Sequence, residues 1–125
     1  MIKKAIYYED ERGSRPAEEF INSLVPKTKA KVLARITYLE GHWHELRRPL
    51  VDTLEDGLYE LRVISSGQQV RVIYAYMFKD YIVMLHGMIK KTKEVPPEDM
   101  LKAKNRMNDW QARYNQGKVK LPKVE

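Results

Sequence analysis

A chain of 125 residues, 43% hydrophobic and 32% charged, has the size and composition of one soluble globular domain rather than a disordered segment. It has no cysteine, which excludes disulfides, thiolate nucleophiles and Cys-based metal centres. No apolar run approaches the ~20 residues of a membrane span, and Met1-Ile-Lys-Lys lacks the apolar stretch of a secretory signal. A cytoplasmic protein with no membrane partner is expected. The net charge of +6 is unevenly spread: from Lys90 onward, ten Lys or Arg stand against five Asp or Glu. Such a basic C-terminal third suits a polyanionic partner or, more blandly, a well-solvated surface.

In chain order, Ile2 to Tyr8 reads as a short first strand with Ile2, Ile6 and Tyr8 on one face. Ser14-Arg-Pro-Ala-Glu-Glu opens a helix, with Ser14 as cap, Pro16 in the first turn and two acids at the positive dipole end. Phe20 and Leu24 would face the core. Pro26 divides this helix from a second, about Lys27 to Glu40, whose Val32, Ile36 and Leu39 form an apolar stripe. Gly41 is the expected stop. Residues 42–57 read as a connecting loop. Three strand-like runs follow, Leu58 to Ile64, Val70 to Tyr76 and Ile82 to Ile89, separated by turns short enough to force antiparallel neighbours. Pro96 and Pro97 precede a last helix with Met100, Ala103, Met107, Trp110 and Tyr114 on its core-facing stripe. The expected fold class is α+β, in the order βααβββα. It is a small, mainly antiparallel sheet covered by an N-terminal αα-hairpin and a C-terminal helix. Residues 1–116 form the single domain, and 117–125 a basic flexible tail.

The chemistry concentrates in the meander. Strand alternation places Tyr59, Leu61 and Val63 on one face and Leu58, Glu60, Arg62 and Ile64 on the other. In the next strand Arg71, Ile73 and Ala75 oppose Val70, Val72, Tyr74 and Tyr76. A charge in an apolar strand costs several kcal/mol if buried unpaired. Arg62, Arg71 and the Lys90-Lys91 pair therefore point to one partly open groove that meets an anion, with nucleic acid the leading candidate. The alternative is a cross-strand ion pair of Glu60 with an arginine, which only fixes register. His86, in Leu-His-Gly, is either a packed histidine or a proton-transfer group. Tyr74, Tyr76 and Trp110 read as core rather than base-stacking platforms. His42-Trp-His44 lacks a third metal ligand, and no metal or cofactor is expected.

Leu58-Tyr-Glu-Leu-Arg-Val63, Arg71-Val-Ile-Tyr74 and Leu85-His-Gly-Met-Ile-Lys-Lys-Thr92, followed by Pro96 and a basic helix, resemble the HigB-type, phage-related branch of the RelE toxin superfamily. The resemblance covers nearly everything except the tail. It implies a microbial-RNase-like fold and the toxin half of a type II toxin–antitoxin pair. It also implies ribosome-dependent mRNA cleavage, in which the nucleotide's own 2′-OH attacks the adjacent phosphate without a metal. The implied partners are mRNA, the ribosome and a helix-turn-helix antitoxin, the toxin being a monomer or part of a hetero-oligomer with it. Carried across, Arg62 and Arg71 would hold the scissile phosphate and Lys90 and Lys91 the basic strand-end position, with His86 an additional group. Lys93, Lys102 and Arg106 would contact RNA. Some RelE-type toxins carry lysine where this chain has Glu60, so Glu60 is either a general base or an arginine tether. A non-catalytic nucleic-acid-binding or phage-derived interaction module with the same fold is the competing reading.

Overall fold

The computed structural model describes residues 1–123, so the last two residues of the expected tail lie outside it. The elements are β1 (Lys4–Tyr7), α1 (Pro16–Asn22), α2 (Pro26–His42), β2 (Val51–Thr53), β3 (Leu58–Ser65), β4 (Gln68–Met77), β5 (Tyr81–Ile89) and α3 (Pro97–Asn115). The strands form one five-stranded mixed sheet in the order β1-β5-β4-β3-β2. Neighbours in β2 to β5 are antiparallel, whereas β1 joins β5 in parallel. The fold is α+β, with one strand more than the sequence suggested. β2 falls in the segment read as a loop, where Val51, Asp52 and Thr53 pair with Leu61, Glu60 and Tyr59.

The sheet separates two apolar cores. On one face, Ala17 and Ile21 of α1 and Val32, Ile36 and Leu39 of α2 meet Leu61, Val63, Val70, Val72, Ile82 and Met84. On the other, Ala103 and Trp110 of α3 cover Leu58, Ile73, Ala75, Val83 and Leu85. Val119 and Leu121, beyond α3, pack against this second core, and the Tyr81 hydroxyl donates to the Pro122 carbonyl. The period-2 and period-3.6 patterns are thus each realised as one buried face per element. Among the described residues, no helix is long and apolar enough to cross a membrane.

Two helix ends differ from the expected ones. Arg15, not Ser14, takes the N-cap position of α1, without a side-chain cap bond. The Ser14 amide instead donates to Asp10, whose carboxylate organises the preceding turn. α2 runs through Gly41 to His42, because the glycine keeps helical geometry and Trp43 forms the C-cap. Tertiary packing of Leu39 and the Trp43 side chain outweighs glycine's modest helix penalty.

The β3–β4 hairpin closes through Ser66 and Gly67, both at positive φ (51° and 76°). Positive φ at both central positions defines the type I′ turn, whose twist matches that of the flanking strands. This turn fixes the register, and the register sets the site: Arg62 lies directly across from Arg71.

Candidate functional site

The pairing Arg62↔Arg71↔Met88 forms one row across β3, β4 and β5, and Glu60↔Ile73↔His86 forms the adjacent row. Both rows face the α3 side of the sheet. His86 shares that face because of an irregularity in the β4–β5 ladder. Tyr74 pairs with Met84 while Ile73 pairs with His86, so Leu85 is the extra residue. Such a bulge re-aims side chains. Leu85 enters the α3 core, and the next residue, His86, takes its place in the Ile73 row.

Glu60 is the hub of the cluster and is only 1% exposed. Its Oε1 accepts from Arg62 Nε at 2.7 Å, lies 3.2 Å from Arg71 Nε and 3.9 Å from Lys90 Nζ. Its Oε2 and the Arg71 Nε have no hydrogen-bond partner. Three cations therefore converge on one buried carboxylate. Arg71 does not face the open groove expected from the sequence; it is 5% exposed. Its Nη1 donates to the Val70 carbonyl and its Nη2 to Gln69 Oε1 at 2.9 Å. Burial lowers the Arg71 pKa below its usual value; Glu60 pulls it up and Arg62 pushes it down. Lys90 is covered to a similar degree, its side chain 6% exposed.

Arg62 is the cluster's open member, with its side chain 26% exposed. Its Nη2 donates to Asp52 Oδ2 at 3.0 Å, and Asp52 Oδ1 is 3.1 Å from Arg48 Nε. Asp52 is held below the usual carboxylate range first by its hydrogen bond from Arg48. Nothing in the sequence singles out Arg48 and Asp52, because β2 is too short to show a pattern, yet they extend the cluster around the sheet edge. With Arg48, four cations stand against two carboxylates, so the group keeps net positive charge and can attract a phosphodiester.

His86 lies in a second polar group. Its Nε2 is 2.6 Å from Asp99 Oδ1 in the first turn of α3, and its Nδ1 is 3.0 Å from Arg106 Nη1. A guanidinium can only donate, so Nδ1 accepts and Nε2 carries the proton donated to Asp99. Both ring nitrogens are thereby engaged. Burial lowers the His86 pKa most; Asp99 raises it, while Arg106 and Lys102 lower it. Arg106 Nη1 also donates to the Leu85 carbonyl, tying α3 to the bulge. Lys91, Lys93 and Lys102 are exposed and free of ion pairs within the described residues.

The structure thus brings Glu60, Arg62, Arg71 and Lys90 together, leaves Lys91 and Lys93 on the adjoining surface, and gives His86 and Arg106 to each other. No curated protein matches the chain. The family model described as "Phage derived protein Gp49-like (DUF891)" matches residues 19–108, from α1 through the meander and well into α3. The matched span holds the whole Glu60 cluster and the His86 group, so the chain belongs to the Gp49-like family of phage-derived proteins, a family associated with toxin–antitoxin systems.

Proposed function

We propose that the chain is the toxin of a type II toxin–antitoxin pair, a HigB-like, RelE-type endoribonuclease that cuts mRNA at the ribosome. The observation that carries this reading is the convergence of Arg62, Arg71 and Lys90 on one spot of the sheet. In the proposed reaction the 2′-oxygen bonds to the adjacent phosphorus as the 5′-oxygen leaves. The products are a 2′,3′-cyclic phosphate and a 5′-hydroxyl end. The 2′-OH gives up one proton and the leaving oxygen gains one. Arg62, as the accessible member, is the first donor to the phosphate, with Arg71 and Lys90 behind it adding positive potential for the phosphorane charge. The Glu60 carboxylate orients both arginines. Its Oε2, which has no hydrogen-bond partner, is the oxygen proposed to take the 2′-OH proton. The cognate antitoxin, a helix-turn-helix protein in this reading, would neutralise the activity.

The burial of Arg71 and Lys90 favours a second reading, a non-catalytic nucleic-acid-binding module in which the cluster only fixes register. Induced expression in a bacterium separates the two. The toxin reading expects growth arrest and new mRNA 5′ ends that vanish when translation is blocked. It also expects Arg62→Ala to lower cleavage by about 10²–10³-fold, the usual cost of losing one transition-state donor. Arrest without new 5′ ends, or full cleavage by Arg62→Ala, would overturn it.

A further inference from the structure

The sheet face turned away from the Glu60 cluster holds a cavity of about 670 Å³, toward the edge formed by β2. Its floor is aromatic. The Tyr59 ring centroid is 5.6 Å from that of Tyr74 and 4.9 Å from that of Tyr76. Trp43, at the end of α2, meets Tyr76 edge-on at 5.4 Å, and the Tyr76 hydroxyl donates to the Trp43 carbonyl. These contacts fix the rings while Trp43, Tyr59 and Tyr76 stay partly exposed. Tyr76, expected to be pure core, is a wall of this cavity.

The remaining wall comes from the segment between α2 and β2, which contributes Arg47 and Arg48. Both are exposed. The guanidinium of Arg47 makes one internal hydrogen bond, from Nη1 to the adjacent Leu46 carbonyl, and so keeps most of its donors for an outside acceptor. The one acidic residue in the lining, Asp52, is already bound to Arg48 and Arg62. The cavity therefore combines fixed aromatic faces, a volume in the range of small-ligand sites, and uncompensated positive charge at the rim. A bare inorganic anion would leave the aromatic floor unmatched, and an apolar ligand would leave the arginines unmatched.

We propose that this cavity binds a nucleotide, with the base against Tyr59, Tyr76 and Trp43 and the phosphate at Arg47 and Arg48. Aromatic platforms tolerate any base, because every base offers a π face. The same chemistry serves a free 5′-mononucleotide or one unit of an RNA strand. Binding here is separate from cleavage and is measurable whether or not the chain is a nuclease.

Trp43 is a built-in reporter. The chain has two tryptophans, and Trp110 lies in the α3 core, so Trp110→Phe leaves Trp43 alone to be read. Titration would use 5′-mononucleotides, a single-stranded ribo-oligonucleotide of about six nucleotides, and inorganic phosphate. The expected result is saturable quenching by nucleotide with a Kd of about 1 mM or tighter, weakened about tenfold or more by Arg47→Glu, and no response to phosphate alone. Equilibrium dialysis on the unsubstituted chain, alone and with Arg47→Glu, reads the same constants if Trp110→Phe folds poorly. Quenching by both ligands assigns the site to nucleotides generally, and quenching by the oligonucleotide alone assigns it to a unit of a strand; each supports the proposal. Quenching by the mononucleotide alone assigns the site to a free nucleotide and supports the proposal too, whereas saturable binding by neither ligand overturns it. So does an equal response to phosphate, or unchanged binding by folded Arg47→Glu and Tyr59→Leu variants.

Discussion

At the residue scale, Glu60 is where stability and chemistry meet. Three cations stand within 3.9 Å of its Oε1, and Arg71 and Lys90 are almost fully covered. Removing one partner of a buried charge group typically costs about 3–5 kcal/mol, because the remaining charges are left uncompensated. Glu60→Gln keeps the shape and removes the charge, so its urea unfolding free energy should fall by about that amount. A loss below about 1 kcal/mol would mean that water, not Glu60, satisfies the three cations. His86 supplies a second test. Its pKa in the fold lies below its ordinary value, so the folded state prefers the neutral ring. Protonation would put a hydrogen on Nδ1 facing the Arg106 guanidinium. The associated stability is therefore complete above the unfolded-state pKa near 6.5 and is lost as pH falls through the lowered folded value. Urea midpoints measured from about pH 7 downward should drop, and His86→Asn should flatten that slope. An identical slope in the variant would place the titration elsewhere.

At the element scale, the meander was legible and its surroundings were not. Alternation within β3 and β4 correctly put Glu60, Arg62 and Arg71 on one face, because strand parity is a local property. An ion pair of Glu60 with an arginine was also visible from the strand pattern. β2 was not, since three residues carry no period and only the β3 edge makes them a strand. The pairing of His86 with Asp99 and Arg106 depends on a bulge and on where α3 docks, neither of which is local. The aromatic cavity is not local either: its tyrosines belong to the sheet, but its arginines belong to the segment between α2 and β2. Gly87 shows how tightly this arrangement is built. A Cβ there would sit 2.2 Å from Cδ2 of Phe20 and 2.8 Å from its Cγ, so the α1 ring would have to move bodily. Gly87→Ala should cost about 1–3 kcal/mol, the usual range for overpacking, in chemical denaturation. Unchanged stability would mean that α1 shifts freely over β5.

At the scale of the whole molecule, the charge excess sits in the stretch of chain from Lys90 onward. This stretch holds most of the net +6; the exposed Lys91 and Lys93 follow Lys90 of the Glu60 cluster, and the exposed Lys102 lies near His86. Each phosphate neutralised by Lys or Arg releases counterions, so RNA affinity should fall steeply with salt. A filter-binding series from low to physiological salt should give a linear log–log decline, shallower in a Lys91→Gln/Lys93→Gln variant. A flat series would reduce the basic surface to a solubility device. Sequence alone gave this charge distribution directly, because composition needs no fold.

The parallel pairing of β1 with β5 has a consequence for how the protein comes into being. Lys4 to Tyr7 align with Tyr81 to Met84, so β1 waits for a strand made well after it. While the chain is emerging, β1 has no edge to join, and α1, whose main neighbour is β5, has little to cover. Lys90 reaches Glu60 at the same stage, since it follows β5 directly. A chain broken off before that point has neither the complete five-stranded sheet nor the third cation at Glu60. The Glu60–Arg62–Arg71 part of the cluster can form with the β3–β4 hairpin, but the Lys90 contact and the β1 edge are added only once β5 is in place.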